Sequence, residues 1–396
     1  MKKIDTADLK PGQIYSTPVY TEGENMLAPA MVPLRQKDID FLLSCGVEFV
    51  MVEGSIVEQN IFQEPPPVEK NDTVEKTATE TVRFSISDVR QNSGPYRAYK
   101  NLIEKLNTVF SNLKTGLDVE MRVIDNICSL LLQDLREHTH SFLDYILGGE
   151  ITSYELAKSS VNTAILSALT AQELKLPNHK ILKIVAGALI HDIGMLRLSK
   201  GITEKKGGLS EAEREQIKSH PLHTSRIVTK ELLGSHEVDL IALQHHERWD
   251  GQGYPDKLTG TAIDIGARIV SVADAFEAMV SKKSYRNSMV GYQAVKNLLA
   301  DNARRFDPAV IMAFTKIMGI YPIGSIVRLN NSSIARVVKV NTEAPLRPVI
   351  EKLTDEKGRI IYSKDKAIAT VDLLTEKTLF IKEAVDPEEY SKHNHA

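Results

Sequence analysis

Cysteine is scarce in this chain: 396 residues hold two, Cys45 and Cys128. They stand far apart and outside any CxxC pair, which excludes a disulfide scaffold or a thiolate zinc site and fits a reducing compartment. Long apolar runs are missing as well. No window approaches the roughly 18 continuous apolar residues of a membrane span, and the opening MKKIDTADLKPGQIYS has no apolar core of a signal peptide. A strong charge of either sign is also absent. The formal net charge of -3 gives no basic field of the kind that binders of nucleic-acid polymers carry. These absences predict a cytoplasmic protein that neither spans a membrane nor binds a nucleic-acid polymer. What is present, 42% hydrophobic and 26% charged residues over this length, suffices for packed cores in two or three domains.

The patterning changes along the chain. Residues 1–62 read as a small α+β module: LKPGQIYSTPVY as a strand, DIDFLLSCG as a short helix ended by Gly46, and VEFVMVE as a strand. Residues 63–95 are rich in Pro, Thr, Glu and Lys and read as a flexible tether. From 96 to 320 the period is helical. Leu102, Leu106, Val109, Phe110 and Leu113 share one face, and comparable segments follow, separated by glycine or proline. Residues 321–385 carry the short strands SIVRLNN, IARVVKV, RPVIEKLTD and IIYSKD between Asn, Asp and Gly turns, and 386–396 form a loose tail. The expected class is mainly α: a helical bundle flanked by the amino-terminal α+β module and a small carboxy-terminal β unit.

Six of the eleven histidines fall between positions 191 and 246: His191, His220, His223, His236, His245 and His246. Several sit at helix ends beside Asp or Pro. HDIG puts His191 and Asp192 at the close of an apolar helix, where Gly194 lets the chain turn. His220 precedes Pro221 and so takes an extended position at a helix boundary. Asp274 lies in the apolar run ARIVSVADAFEAMVS, where a core-facing carboxylate is costly unless paired or metal-bound. Imidazole and carboxylate without thiolate suit Fe, Mn, Ni or Zn. One carboxylate can bridge two cations about 3.5–4 Å apart, an arrangement that activates water against a phosphoester.

Taken in order, HDIG at 191–194, HP at 220–221, HHERWDGQGYP at 245–255, ARIVSVADAFEAMVS, YR at 285–286 and RRFDPAVIMAF resemble the HD-GYP family, bacterial metal-dependent phosphodiesterases of the HD superfamily that hydrolyse cyclic di-GMP. The resemblance spans about 150–318. It implies an HD-type bundle and a metal set of His191, Asp192, His220, His245, His246 and Asp274, with Asp192 bridging. It further implies that Gly253, Tyr254 and Pro255 form a loop beside the nucleotide pocket, and that Lys283 and Arg286 contact phosphate, Arg bidentately and Lys as a point charge. His223 and His236 match no ligand position and are read as structural.

Two departures stand out. Ser159 occupies the place of the family's first histidine, and Glu155, one helical turn earlier on the same face, is the expected substitute and a candidate ligand of a third metal. Met195 stands where the family commonly has a phosphate-contacting lysine. The leading expectation is therefore hydrolysis of cyclic di-GMP, with either linear pGpG or GMP as the end product and with two or three divalent metals. His191, Asp192, Lys283 and Arg286 carry the chemistry in that reading. The alternatives are a non-catalytic receptor for the dinucleotide or for a protein partner, and hydrolysis of a different phosphate compound. The terminal modules are expected to form a homodimer or receive a partner protein.

Overall fold

A computed structural model describes residues 2–11, 13, 15, 19–21, 26–28, 34, 36–44, 47, 49–52, 93–148, 155–203, 205, 207–281, 291–301, 304–359, 361 and 370–385. Cys45, Gly46, the tether up to residue 92, Lys283, Arg286 and the tail from 386 lie outside the described residues.

The amino-terminal module holds β1 (Lys2–Asp5), β2 (Val19–Thr21), β3 (Met26–Ala28), α1 (Gln36–Ser44) and β4 (Phe49–Val52), the strands joined antiparallel in the order β1-β4-β2-β3. Of the strand expected over LKPGQIYSTPVY, the end forms β2, and residues 12, 14 and 16–18 lie outside the described residues. The edge strand β1 went unanticipated, because KKID has one apolar residue and no alternation to signal it.

The helices are α2 (Gly94–Thr115), α3 (Met121–Gly148), α4 (Glu155–Glu173), α5 (Asn178–Ile190), α6 (Lys200–Thr203), α7 (Glu211–Lys218), α8 (His220–Arg226), α9 (His236–Gln244), α10 (Ile265–Val280), α11 (Gly291–Ala300) and α12 (Pro308–Met318). The first of these is bounded by local chemistry. Ser93 accepts from the Tyr96 N–H at 3.3 Å, Pro95 needs no donor in the first turn, and Gly116 ends α2 in the left-handed region at φ 79°. All five apolar residues predicted for its face are buried.

At the centre lies α4, buried on every side from Ala157 to Ala171. Its sequence AKSSVNTAILSALTA is built from small residues, so neighbouring helices can approach from all round, and Tyr99 of α2 donates to Asn162 at 2.6 Å. Close approach also organises α5, α9 and α10. A Cβ on Gly187 would stand 2.5 Å from Ile241 Cγ2, and one on Gly266 2.7 Å from Ile241 Cδ1. Two helices thus touch one isoleucine of α9 through bare backbone, which draws α5 and the start of α10 against α9.

The β unit comprises β5 (Ile326–Leu329), β6 (Ile334–Lys339), β7 (Val349–Lys352), β8 (Thr370–Asp372) and β9 (Ile381–Ala384), all antiparallel, in the order β8-β7-β6-β5-β9. The expected strand IIYSKD falls mostly outside the described residues, while β8 and β9 come from segments not read as strands. Tyr292 of α11 stacks on Tyr321, centroids 5.3 Å apart, and ties the unit to the bundle. Leu346 lies against both the β-unit core and that of the amino-terminal module. No helix among the described residues is long and apolar enough to cross a membrane.

The convergence on Ile241 can be tested. Gly187→Val is expected to overpack the α5–α9 contact and destabilise the protein by about 1–3 kcal/mol. Ile241→Ala should destabilise by about 2–5 kcal/mol. Because the two share one contact, urea unfolding of the double variant should show less than the sum.

Candidate metal centre

Three helix boundaries aim imidazoles at one point. His191 follows α5, His220 opens α8 and His245 follows α9. In each, Nδ1 lies 2.7 Å from the carbonyl oxygen three residues earlier: Ala188, Ile217 and Ala242 respectively. A carbonyl only accepts, so Nδ1 carries a proton in all three rings and Nε2 is the nitrogen left to face the cluster.

The Nε2 atoms then gather on Asp192. From Asp192 Oδ1, His220 Nε2 is 3.0 Å away and His245 Nε2 3.7 Å; His191 Nε2 is 3.6 Å from Asp192 Oδ2 and also 3.6 Å from Asp274 Oδ1. Ligand-capable atoms form two groups, Asp192 with His220, His245 and His246, and Asp192 with His191 and Asp274. Asp192 belongs to both. Chemistry as well as spacing fits divalent cations here. His220 and His245 face each other Nε2 to Nε2 at 3.3 Å, and His191 Nε2 is buried with no hydrogen-bond partner. A cation between such donors gives these nitrogens a partner, and the Nδ1–carbonyl bonds orient the rings toward it.

The turn after His191 is locked by Thr224 of α8. Its hydroxyl donates to the His191 carbonyl at 3.0 Å and accepts from the Gly194 N–H at 2.9 Å. Gly194 is required for proximity rather than for an unusual turn, since a Cβ there would lie 2.1 Å from the His220 carbonyl oxygen. The HDIG segment therefore packs backbone to backbone on the helix that opens with the next histidine.

The loop after His246 is held by a residue that sequence reasoning left without a role. Glu247 is buried and accepts from the N–H groups of Asp256 at 2.6 Å and Leu258 at 3.1 Å. Asp250 is engaged by Arg248 at 3.0 and 2.7 Å. A Cβ on Gly253 would be 2.4 Å from the Arg248 nitrogen, so the loop closes on itself only through glycine there. Tyr254, joined to Pro255 by a cis peptide, sets its ring 4.9 Å from that of His246 at 32°. Burial, with the charges of Asp192 and Asp274, pushes its hydroxyl pKa up, so it stays a neutral hydrogen-bonding group.

Other expected residues fall elsewhere. Glu155 is exposed in the first turn of α4 and belongs to neither group of ligand-capable residues. Ser159 is buried and donates to Glu277 at 2.6 Å. His236 is exposed and His223 half-buried, and neither joins the cluster. Met195 is half-buried in the turn after Asp192. Thr224, Glu247 and Glu277 gave only weak local signals; the one available was Glu247, directly behind a histidine pair.

Electrostatics follow from burial. Burial opposes charge on His191, but Asp192 and Asp274 outweigh it and hold its pKa up at about 9. Against their own burial, His191 and its neighbours hold both carboxyls well below the usual range. Burial, reinforced by the neighbouring imidazoles, lowers His246 strongly and His245 less. A raised imidazole pKa stabilises the fold below its ordinary value of 6.5 and loses that contribution as pH rises through about 9. The chelator-stripped protein is thus expected to melt at progressively lower temperature from pH 7 to pH 9.5. Added Mn(II) should stabilise more over the same interval, because it binds the unprotonated imidazole. Melting curves with and without chelator check both signs.

Residues 126–310 match the family model of the HD domain, and residues 326–393 that of a KOW domain associated with HD domain. The cyclic di-GMP phosphodiesterase PdeB of Borreliella burgdorferi is 28% identical over 270 residues, 68% of this chain and 71% of PdeB. The cyclic di-GMP phosphodiesterase response regulator RpfG of Xanthomonas campestris pv. campestris is 38% identical over 156 residues, 38% of this chain and 40% of RpfG. Among solved structures, Bd1817, an HDG"Y"P protein from Bdellovibrio bacteriovorus, aligns with a TM-score of 0.47 and 16% identity, covering 80% of this chain and 98% of that one. Residues 126–310 thus match the HD domain, and the ordered HDIG and HHERWDGQGYP segments within them, with imidazoles converging on Asp192, resemble the HD-GYP family.

Proposed function

We propose that the chain is a metal-dependent phosphodiesterase that opens cyclic di-GMP to linear pGpG. The observation that supports this most is the meeting of His191, His220 and His245 on Asp192, each imidazole with its proton committed to backbone. In this reading His220, His245 and His246 hold one cation, His191 and Asp274 a second, and Asp192 both. Bound divalent cations would supply Lewis acidity and an activated water at neutral pH.

The chain's own residues do the rest. Fixed Nδ1 protons keep the three rings as ligands rather than proton carriers. Glu247 holds the GYP loop so that Tyr254 closes over His246 and screens that side of the centre from water. Lys283 and Arg286 are assigned to the phosphate oxygens by their sequence positions alone. The terminal modules are proposed to mediate self-association or partner binding.

A test is cleavage of cyclic di-GMP by Mn(II)-loaded protein, followed by chromatography of the products. Asp192→Ala should reduce turnover at least about 100-fold, since even outer-shell changes at metal sites cost 10–100-fold. No linear product above the stripped control refutes the proposal. One observation favours a second reading, that of a receptor: Ser159 brings no imidazole and Met195 no cation to the site. Tight calorimetric binding with the dinucleotide recovered intact would select it.

A further inference from the structure

Just behind the metal centre lies a buried polar network that the proposed chemistry does not use. Glu277 stands one turn after Asp274 on α10 and is 1% exposed. Its Oε2 accepts from the Ser159 hydroxyl at 2.6 Å; its Oε1 accepts from Ser281 Oγ at 2.5 Å and Asn162 Nδ2 at 3.3 Å. Asn162 is in turn held by the Tyr99 hydroxyl at 2.6 Å. The network joins α2, the central α4 and α10, and Lys158, also buried, lies close enough for its charge and that of Glu277 to favour each other.

We infer that the Ser159–Glu277 hydrogen bond closes the third corner of this centre, so that the chain holds two cations and no third, with Glu277 a positioning residue that sets α10 and Asp274 against His191. The inference rests on the metal-centre reading above. An imidazole at 159 would extend beyond the serine oxygen by the width of its ring, into the space that the Glu277 carboxylate fills. That carboxylate is not available as a substitute ligand. Both oxygens are engaged, and turning one to a cation would strand buried donors of Ser159, Asn162 or Ser281, which low-dielectric surroundings penalise. Glu277 is absent from both ligand-capable groups, and Glu155 is exposed. Among the described residues the two groups on Asp192 account for two cations.

Two measurements on the full chain test this. Elemental analysis after Mn(II) loading and desalting should give two manganese per chain in the parent protein and still two in Ser159→His. Three in either overturns the inference. Fewer than two in the parent overturns the metal-centre reading and the count with it. The second measurement needs no metal. In stripped protein, Ser159→His should lower Tm through collision with the carboxylate, and adding Glu277→Ala should restore part of that loss. Ser159→Ala and Glu277→Gln should together lower Tm by less than the sum of their separate effects. Additive effects in both pairs would show that the two residues do not act on one another and would defeat the brace, whatever the metal count.

Discussion

A single contact repeated at three helix boundaries governs this protein: an imidazole Nδ1–H donating to the carbonyl three residues earlier. The bond does two things at once. It satisfies a backbone acceptor near a helix end, where carbonyls otherwise lack partners, and it fixes both the rotamer and the tautomer of the ring. His191, His220 and His245 are thereby prevented from acting as general donors or acceptors at random. Their Nε2 atoms are driven to a common point beside Asp192.

Holding that arrangement falls to parts of the bundle that contribute no ligand. Ile241 receives the bare backbones of α5 and α10, Thr224 bolts the HDIG turn to α8, and α4 offers small side chains on all sides. Packing of this kind tolerates little displacement, since dense interiors transmit a change of one methyl group to their neighbours. The polar brace around Glu277 adds direction to the same contact surface. Dispersion alone would let α10 rotate against α4; a carboxylate pinned by Ser159, Asn162 and Ser281 does not.

The loop carrying Tyr254 shows how a signature segment divides its labour. Glycine at 253 permits the closure, Glu247 supplies two acceptor oxygens for the returning backbone, and Tyr254 faces the histidines. HHERWDGQGYP also holds two acidic residues, Glu247 and Asp250. Folded, Glu247 and Asp250 serve the loop itself, and the centre draws its carboxylates from Asp192 and Asp274 instead.

The helical class, the face of α2 and the identity of the clustered histidines and aspartates were all legible in the sequence. Periodicity and the chemistry of residue types are local properties that survive without coordinates. So was the oddity at Ser159, but its remedy was not. Helical spacing made Glu155 the natural substitute, whereas the partner of Ser159 comes from a residue 118 positions away on α10. The edge strand β1 and the strands β8 and β9 escaped for a related reason, since their pairing depends on neighbours brought in by the fold rather than on their own pattern. Sequence by itself determined which donors exist and at which helix ends they stand. Only tertiary structure decided which of them meet, because a side chain's partner is set by how helices pack, and packing is a property of the whole bundle.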